Sequence, residues 1–154
     1  ILYYKNMFKK FAVSLILLLF TANCGFTPIY SNKNINISIE ELNFTGDRTI
    51  NNYLKSNLYR YKNKDSTKKI FLDVETNYKK NHLSKDSSGA INKYELIAQV
   101  TFIINPGNQK IEFIQKKIME NMNNKFDEKD YETSTKQTFA NIIADELIQK
   151  LIEF

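Results

Sequence analysis

The apolar pattern of the chain predicts an α+β fold, a two-layer sandwich of element order β-α-β-β-β-α. Two helices are expected to pack on a mostly antiparallel four-stranded sheet. Three observations carry this expectation. Apolar and polar residues alternate in four separate runs. Two other stretches repeat their apolar residues at helical spacing. Gly, Pro, Asn and Ser cluster between these runs, where turns are needed.

Ile35, Ile37 and Ile39 alternate with Asn36, Ser38 and Glu40, and the strand continues through Leu42 and Phe44. The glycosylation sequons Asn36-Ile37-Ser38 and Asn43-Phe44-Thr45 lie inside this strand and are read as chance matches. Gly46 breaks the strand, and Asp47 or Thr49 can cap a helix. Ile50, Tyr53, Leu54, Leu58 and Tyr61 form its apolar face, with an end expected near Asn63. Ile70, Leu72, Val74, Thr76 and Tyr78 mark a second strand, and Ser84 to Gly89 a loop. The third strand runs from Tyr94 to Ile104. Its second face also carries Ile97 and Ile103, which places it in the middle of the sheet. Asn105-Pro106-Gly107-Asn108 reads as a tight turn. Ile111 and Phe113 open a fourth strand whose phase slips at Ile114 and Ile118, as a bulge would cause. Asn121 to Asp130 is polar and aperiodic. Ser134 with Gln137 makes a capping box for a long final helix striped by Phe139, Ile142, Ile143, Leu147, Leu151 and Phe154.

The 154-residue chain has a formal net charge of +5, which raises a nucleic-acid reading. Removal of residues 1–23, with Lys5, Lys9 and Lys10 and no acid, would lower that charge to +2. The positive charge is local: Arg48 to Lys93 holds eleven Lys and Arg against four Asp and Glu. Tyr59-Arg60-Tyr61-Lys62 interleaves bases with aromatics as single-strand binders do, but on a helix only Tyr61 joins the apolar face. The expectation is therefore no nucleic-acid partner. A basic middle fits a local anionic contact or a solvated face.

The leader has its own logic. Met7 reads as the true start, with Ile1 to Asn6 an upstream extension. Lys9 and Lys10 precede the apolar run Phe11 to Phe20, which has the length of a signal-peptide core. A membrane-spanning helix needs roughly 20 apolar residues, so the run is too short to span. Thr21-Ala22-Asn23 follow, and then Cys24, the one cysteine of the chain. That placement suits a lipoprotein signal, with residues 1–23 removed, Cys24 acylated, 24–34 a tether and 35–154 the folded domain. Thr21 and Asn23 depart from the usual residues of the lipoprotein box. The alternative is an ordinary signal peptide or signal anchor with a free thiol.

Cys24-Gly25-Phe26-Thr27-Pro28-Ile29-Tyr30 resembles the mature amino terminus of the LptE family of outer-membrane lipoproteins. The element order and the terminal helix from Phe139 to Phe154 are similar to that family too. The resemblance implies a lipid-anchored protein on the periplasmic face of the outer membrane. It implies a role in lipopolysaccharide assembly, plugging the LptD β-barrel, helping it assemble and binding lipopolysaccharide. The competing function class is a periplasmic accessory lipoprotein of a lipid or solute transporter, docking by a sheet edge. Lys79, Lys80, Lys85 and Lys93 flank the loop between the second and third strands. If these strands form a hairpin, the four ammonium groups are expected to gather at one end of the sheet and meet lipid A phosphates.

Enzymatic motifs are missing from the sequence. His82 is the single histidine, and no nucleophile elbow, phosphate loop or zinc spacing occurs. Glu40-Glu41 and Asp127-Glu128 are adjacent pairs in polar surroundings, better read as solvated than as a catalytic dyad. The expectation is a non-enzyme without cofactor or metal.

Overall fold

The computed structural model describes residues 37–62 and 66–153. The leader, Cys24 and the tether lie outside the described residues. Strand β1 spans Ile37–Gly46, helix α1 Arg48–Leu58, β2 Lys68–Lys85, β3 Ile91–Asn105, β4 Gln109–Glu120 and helix α2 Lys125–Glu153. The sheet order is β1-β2-β3-β4. β1 lies parallel to β2, and the other two pairings are antiparallel. The architecture is the expected α+β sandwich.

The first corner follows from local chemistry. Gly46 turns the chain at φ +95°, and the Asp47 side chain accepts the Ile50 N–H at 2.9 Å to start α1. Ile50, Leu54 and Leu58, one turn apart, are buried. A short 3₁₀ turn, Tyr59–Tyr61, closes the helix, and Lys62 N–H bonds to the Tyr59 carbonyl.

β2 and β3 form a hairpin longer than their apolar alternation. Asp86 holds its tip, accepting the backbone N–H groups of Ser88 and Ala90. Leu72, Val74, Leu96, Ala98, Val100 and Phe102 face the helices and form the sheet side of the core. Ile97 and Ile103 are half-buried on the other face, as an inner strand requires.

Two expectations are corrected. β4 carries no bulge: its register on β3 runs unbroken from Lys93↔Glu120 to Ile104↔Gln109. Ile111, Phe113 and the buried Met119 keep one phase, whereas Ile114 and Ile118 point to the opposite face and are 51% and 58% exposed. The bulges sit elsewhere, in β1 between Ile39 and Glu41 and in β2 between His82 and Lys85. The second correction concerns α2, which starts at Lys125 and not beside Ser134. Asn124 caps it, its Oδ1 accepting the Phe126 N–H at 2.9 Å. Ser134 lies inside the helix and its carbonyl accepts the Thr138 hydroxyl, so no capping box forms.

Candidate functional site

α2 is held by two kinds of contact. Its second half buries Phe139, Ile143, Leu147 and Leu151 in the core. Its first half lies over the distal part of the β2–β3 hairpin and is held by charge. Lys80 Nζ reaches Glu128 and, at 3.2 Å, Glu132. Lys125 pairs with Glu128 at 2.6 Å, and Lys136 with Asp47 at 2.8 Å. Lys80 Nζ also stands 4.5 Å from the Tyr94 ring centre, and Lys117 Nζ 4.9 Å from that of Tyr131.

These contacts shift the groups involved. The hydrogen bonds from Lys125 and Lys80 hold the Glu128 carboxyl below its usual range, although the residue is 6% exposed. Burial works to raise Asp47, but the bonds from Lys136 and the Ile50 N–H outweigh it and the net shift is downward. Burial likewise opposes the charge on Lys80, and Glu128 and Glu132 reverse that and raise it. Tyr78 is pushed up by burial, with the Glu132 and Asp47 carboxylates adding to the effect. Its buried hydroxyl makes no hydrogen bond of good geometry, and Lys136 Nζ lies 3.9 Å from its ring centre.

The four lysines singled out by the sequence therefore divide. Strand alternation puts Lys79 and Lys80 on opposite faces. Lys80 faces α2 and is engaged by its two glutamates, which removes it from the expected cluster. Lys79 is exposed on the face without helices, in one rung with Ile97 and Lys116. Lys93 stands on the same face about 13 Å along the strand direction, with Glu120 3.9 Å from its Nζ. Lys85 is exposed at the hairpin end. Lys116, missed by the sequence reading, sits about 10 Å across two strand spacings from Lys79, and its Nζ is 3.9 Å from Glu95. Ile97, Ile114 and Ile118 lie among these lysines, so this face offers apolar surface bordered by ammonium groups.

His82 is exposed and packs edge-to-face on Tyr94 with ring centres 5.7 Å apart. Arg60 is tied to Asn57, and Tyr59 is exposed beside Lys62. Among the described residues no group of three or more His, Cys, Asp or Glu could hold a metal ion. No helix among them is long and apolar enough to cross a membrane. At the opposite end of the sheet a cavity of about 310 Å³ is lined by Lys68, Ile70, Ile104, Pro106, Gln109 and Leu151, among others.

No protein-family model and no curated protein matches the chain. Solved structures do match. The rare lipoprotein B of Shewanella oneidensis is 14% identical with a TM-score of 0.54, over 74% of this chain and 98% of that one. A minor lipoprotein of Acinetobacter baumannii is 15% identical with a TM-score of 0.54, over 75% of this chain and 93% of that one. An uncharacterized lipoprotein B of Nitrosomonas europaea is 14% identical with a TM-score of 0.53, over 76% and 85%. The fold of this chain is the fold of these bacterial lipoproteins.

Proposed function

We propose that the protein is an outer-membrane lipoprotein of lipopolysaccharide assembly, anchored through Cys24 on the periplasmic face. It plugs and helps to assemble an LptD-type β-barrel and binds lipopolysaccharide; it is not an enzyme. The observation that carries the reading is the Cys24-Gly25-Phe26-x-Pro28-Ile29-Tyr30 motif, three residues after a short apolar run. The fold shared with bacterial lipoproteins supports it, because the leader and the domain then point to one class of protein. A compact sandwich of this kind suits the lumen of a large barrel. The uncovered sheet face supplies lysines for phosphates and isoleucines for acyl chains.

Isolation of the chain from its native membrane tests the reading. The expected result is an amino terminus at an acylated Cys24, established by intact mass, and a large β-barrel that co-purifies. A chain processed elsewhere than at Cys24 and isolated without any barrel overturns it.

A further inference from the structure

The cavity beside the β3–β4 turn lies on the helix side of the sheet. Leu72 and Phe102 face the helices, and strand alternation puts Ile70 and Ile104 on that same side. Leu151 closes the space from the last turns of α2, and all three lining residues are buried. Pro106 adds an apolar ring from the turn. Gln109 pairs with Ile104, and Lys68 stands two positions before Ile70, so both take helix-side positions where β4 and β2 begin. A closed core would hold apolar groups there. Two long, exposed side chains with polar tips stand there instead. Their stems can line apolar space while their heads stay in water at the mouth.

Charge at this end is one-sided. Lys69 joins Lys68 in the lining. Lys110 and Lys150 each adjoin a lining residue in the chain, whereas no Asp or Glu lines the cavity or adjoins a lining residue. Lys68 and Lys69 are exposed, and among the described residues neither takes part in an ion pair. The carbonyl end of α2 and the exposed Glu153 oppose this charge, but the ammonium groups outnumber them. The result is an apolar chamber with a cationic mouth.

We propose that this cavity binds a fatty-acid anion of medium length. Its volume is about 310 Å³, roughly twice that of an apolar cavity that takes up benzene. At about 30 Å³ for a water-sized group, it accommodates about ten such groups. That is one short alkyl chain, and not the several chains of a glycolipid. The chain lies against Ile70, Ile104 and Leu151, and its carboxylate accepts a charge-assisted hydrogen bond from the Lys68 ammonium. An alcohol of the same length lacks the charge that strengthens this bond, and an alkylammonium ion meets like charges at the mouth. The site is on the opposite side of the sheet from the uncovered face, and it does not rest on the role in lipopolysaccharide assembly.

Photolabelling of the full chain, isolated from its membrane, tests the proposal. The probe is decanoate with a diazirine near the chain end. Peptide mass spectrometry should place the main adducts in the peptides that hold Ile70, Ile104 and Leu151. Unlabelled decanoate should displace the probe at a concentration roughly tenfold lower than decan-1-ol does, the margin expected of one charge-assisted bond. Lys68→Gln together with Lys69→Gln should reduce labelling by a similar factor. Circular dichroism should not change in that variant, because both side chains are exposed. Adducts mainly on the strand face of Ile97, Ile114 and Ile118, no adduct at the cavity, equal displacement by decanoate and decan-1-ol, or undiminished labelling of the double lysine variant would each overturn the inference.

Discussion

At Gly46 the backbone takes φ +95°, and a Cβ added there would stand 1.8 Å from the Thr76 carbonyl oxygen. Neither partner can give way easily. That carbonyl accepts the Asp47 N–H, and the Thr76 hydroxyl lies 2.7 Å from Asn51 Oδ1. Gly46→Ala is therefore expected to cost about 2–4 kcal/mol, from backbone strain and the lost corner contacts together. Urea denaturation checks this, and an unchanged midpoint would show that β1 and β2 separate there at little cost. Leu147 offers a second measure, since it is 0% exposed. Leu147→Ala removes buried volume from the centre of the core and should lower stability by about 2–5 kcal/mol in the same assay. Both positions were legible in the sequence, one as a strand breaker and one as part of an apolar stripe. The partners of Gly46 were not, because Thr76 lies in another strand and only the parallel register brings it close.

At the scale of elements, α2 is one helix with two kinds of attachment, and the sequence displayed one of them. Apolar periodicity begins at Phe139, so a reading based on it starts the helix near there. Lys125 to Thr138 is held by ion pairs and cation–π contacts, which leave no repeating apolar signal. These contacts imply a response to acid. Glu128 and Asp47 both titrate lower in the fold than free carboxylates do. Their contribution is complete above the unfolded carboxylate values, about pH 4, and is lost as pH falls through the depressed folded values. Hydrogen exchange followed from neutral pH to pH 3 should show the amides after Lys125 losing protection before those around Ile143. Uniform loss along α2 would mean that the polar half is not held separately. β1 and β4 teach the complementary point about phase. Ile37 and Ile39 share a face with Leu42 and Phe44 because a bulge re-phases the strand. Ile114 breaks phase with Phe113 for a different reason: it belongs to the other face, and the buried Met119 shows that the strand never slipped. One sequence cue thus has two physical origins, and only the position of later core residues separates them.

For the whole molecule, the two faces of the sheet divide the work between folding and contact. One face is covered by helices. The other has no helix over it among the described residues and mixes isoleucines with lysines and acids. Alternation alone predicts that a second face exists, but its composition depends on register. With the β3–β4 turn centred between Pro106 and Gly107, counting outward pairs Ile97 with Lys116. A bulge at Ile114, as the sequence suggested, would send Lys116 to the helical side. The corrected register changes which lysines belong to the proposed glycolipid contact. Lys79, Lys93 and Lys116 share the uncovered face, whereas Lys80 compensates Glu128 under α2. Their substitutions should therefore separate two properties. Lys79→Gln, Lys93→Gln and Lys116→Gln together should weaken lipopolysaccharide binding while leaving the melting curve nearly unchanged, since exposed ion pairs contribute little to stability. The binding of the unsubstituted protein should itself decline as ionic strength rises, because exposed charges are screened. Lys80→Gln should do the opposite, destabilising the fold by about 1–3 kcal/mol by leaving a buried carboxylate short of a partner, with binding retained at temperatures where the domain stays folded. Calorimetric titration with purified lipopolysaccharide at low and moderate salt, beside thermal melts of both variants, reads the two properties separately. If Lys80→Gln abolishes binding without loss of stability, or if the triple variant binds as tightly as the unsubstituted protein, the glycolipid contact does not lie on the uncovered face.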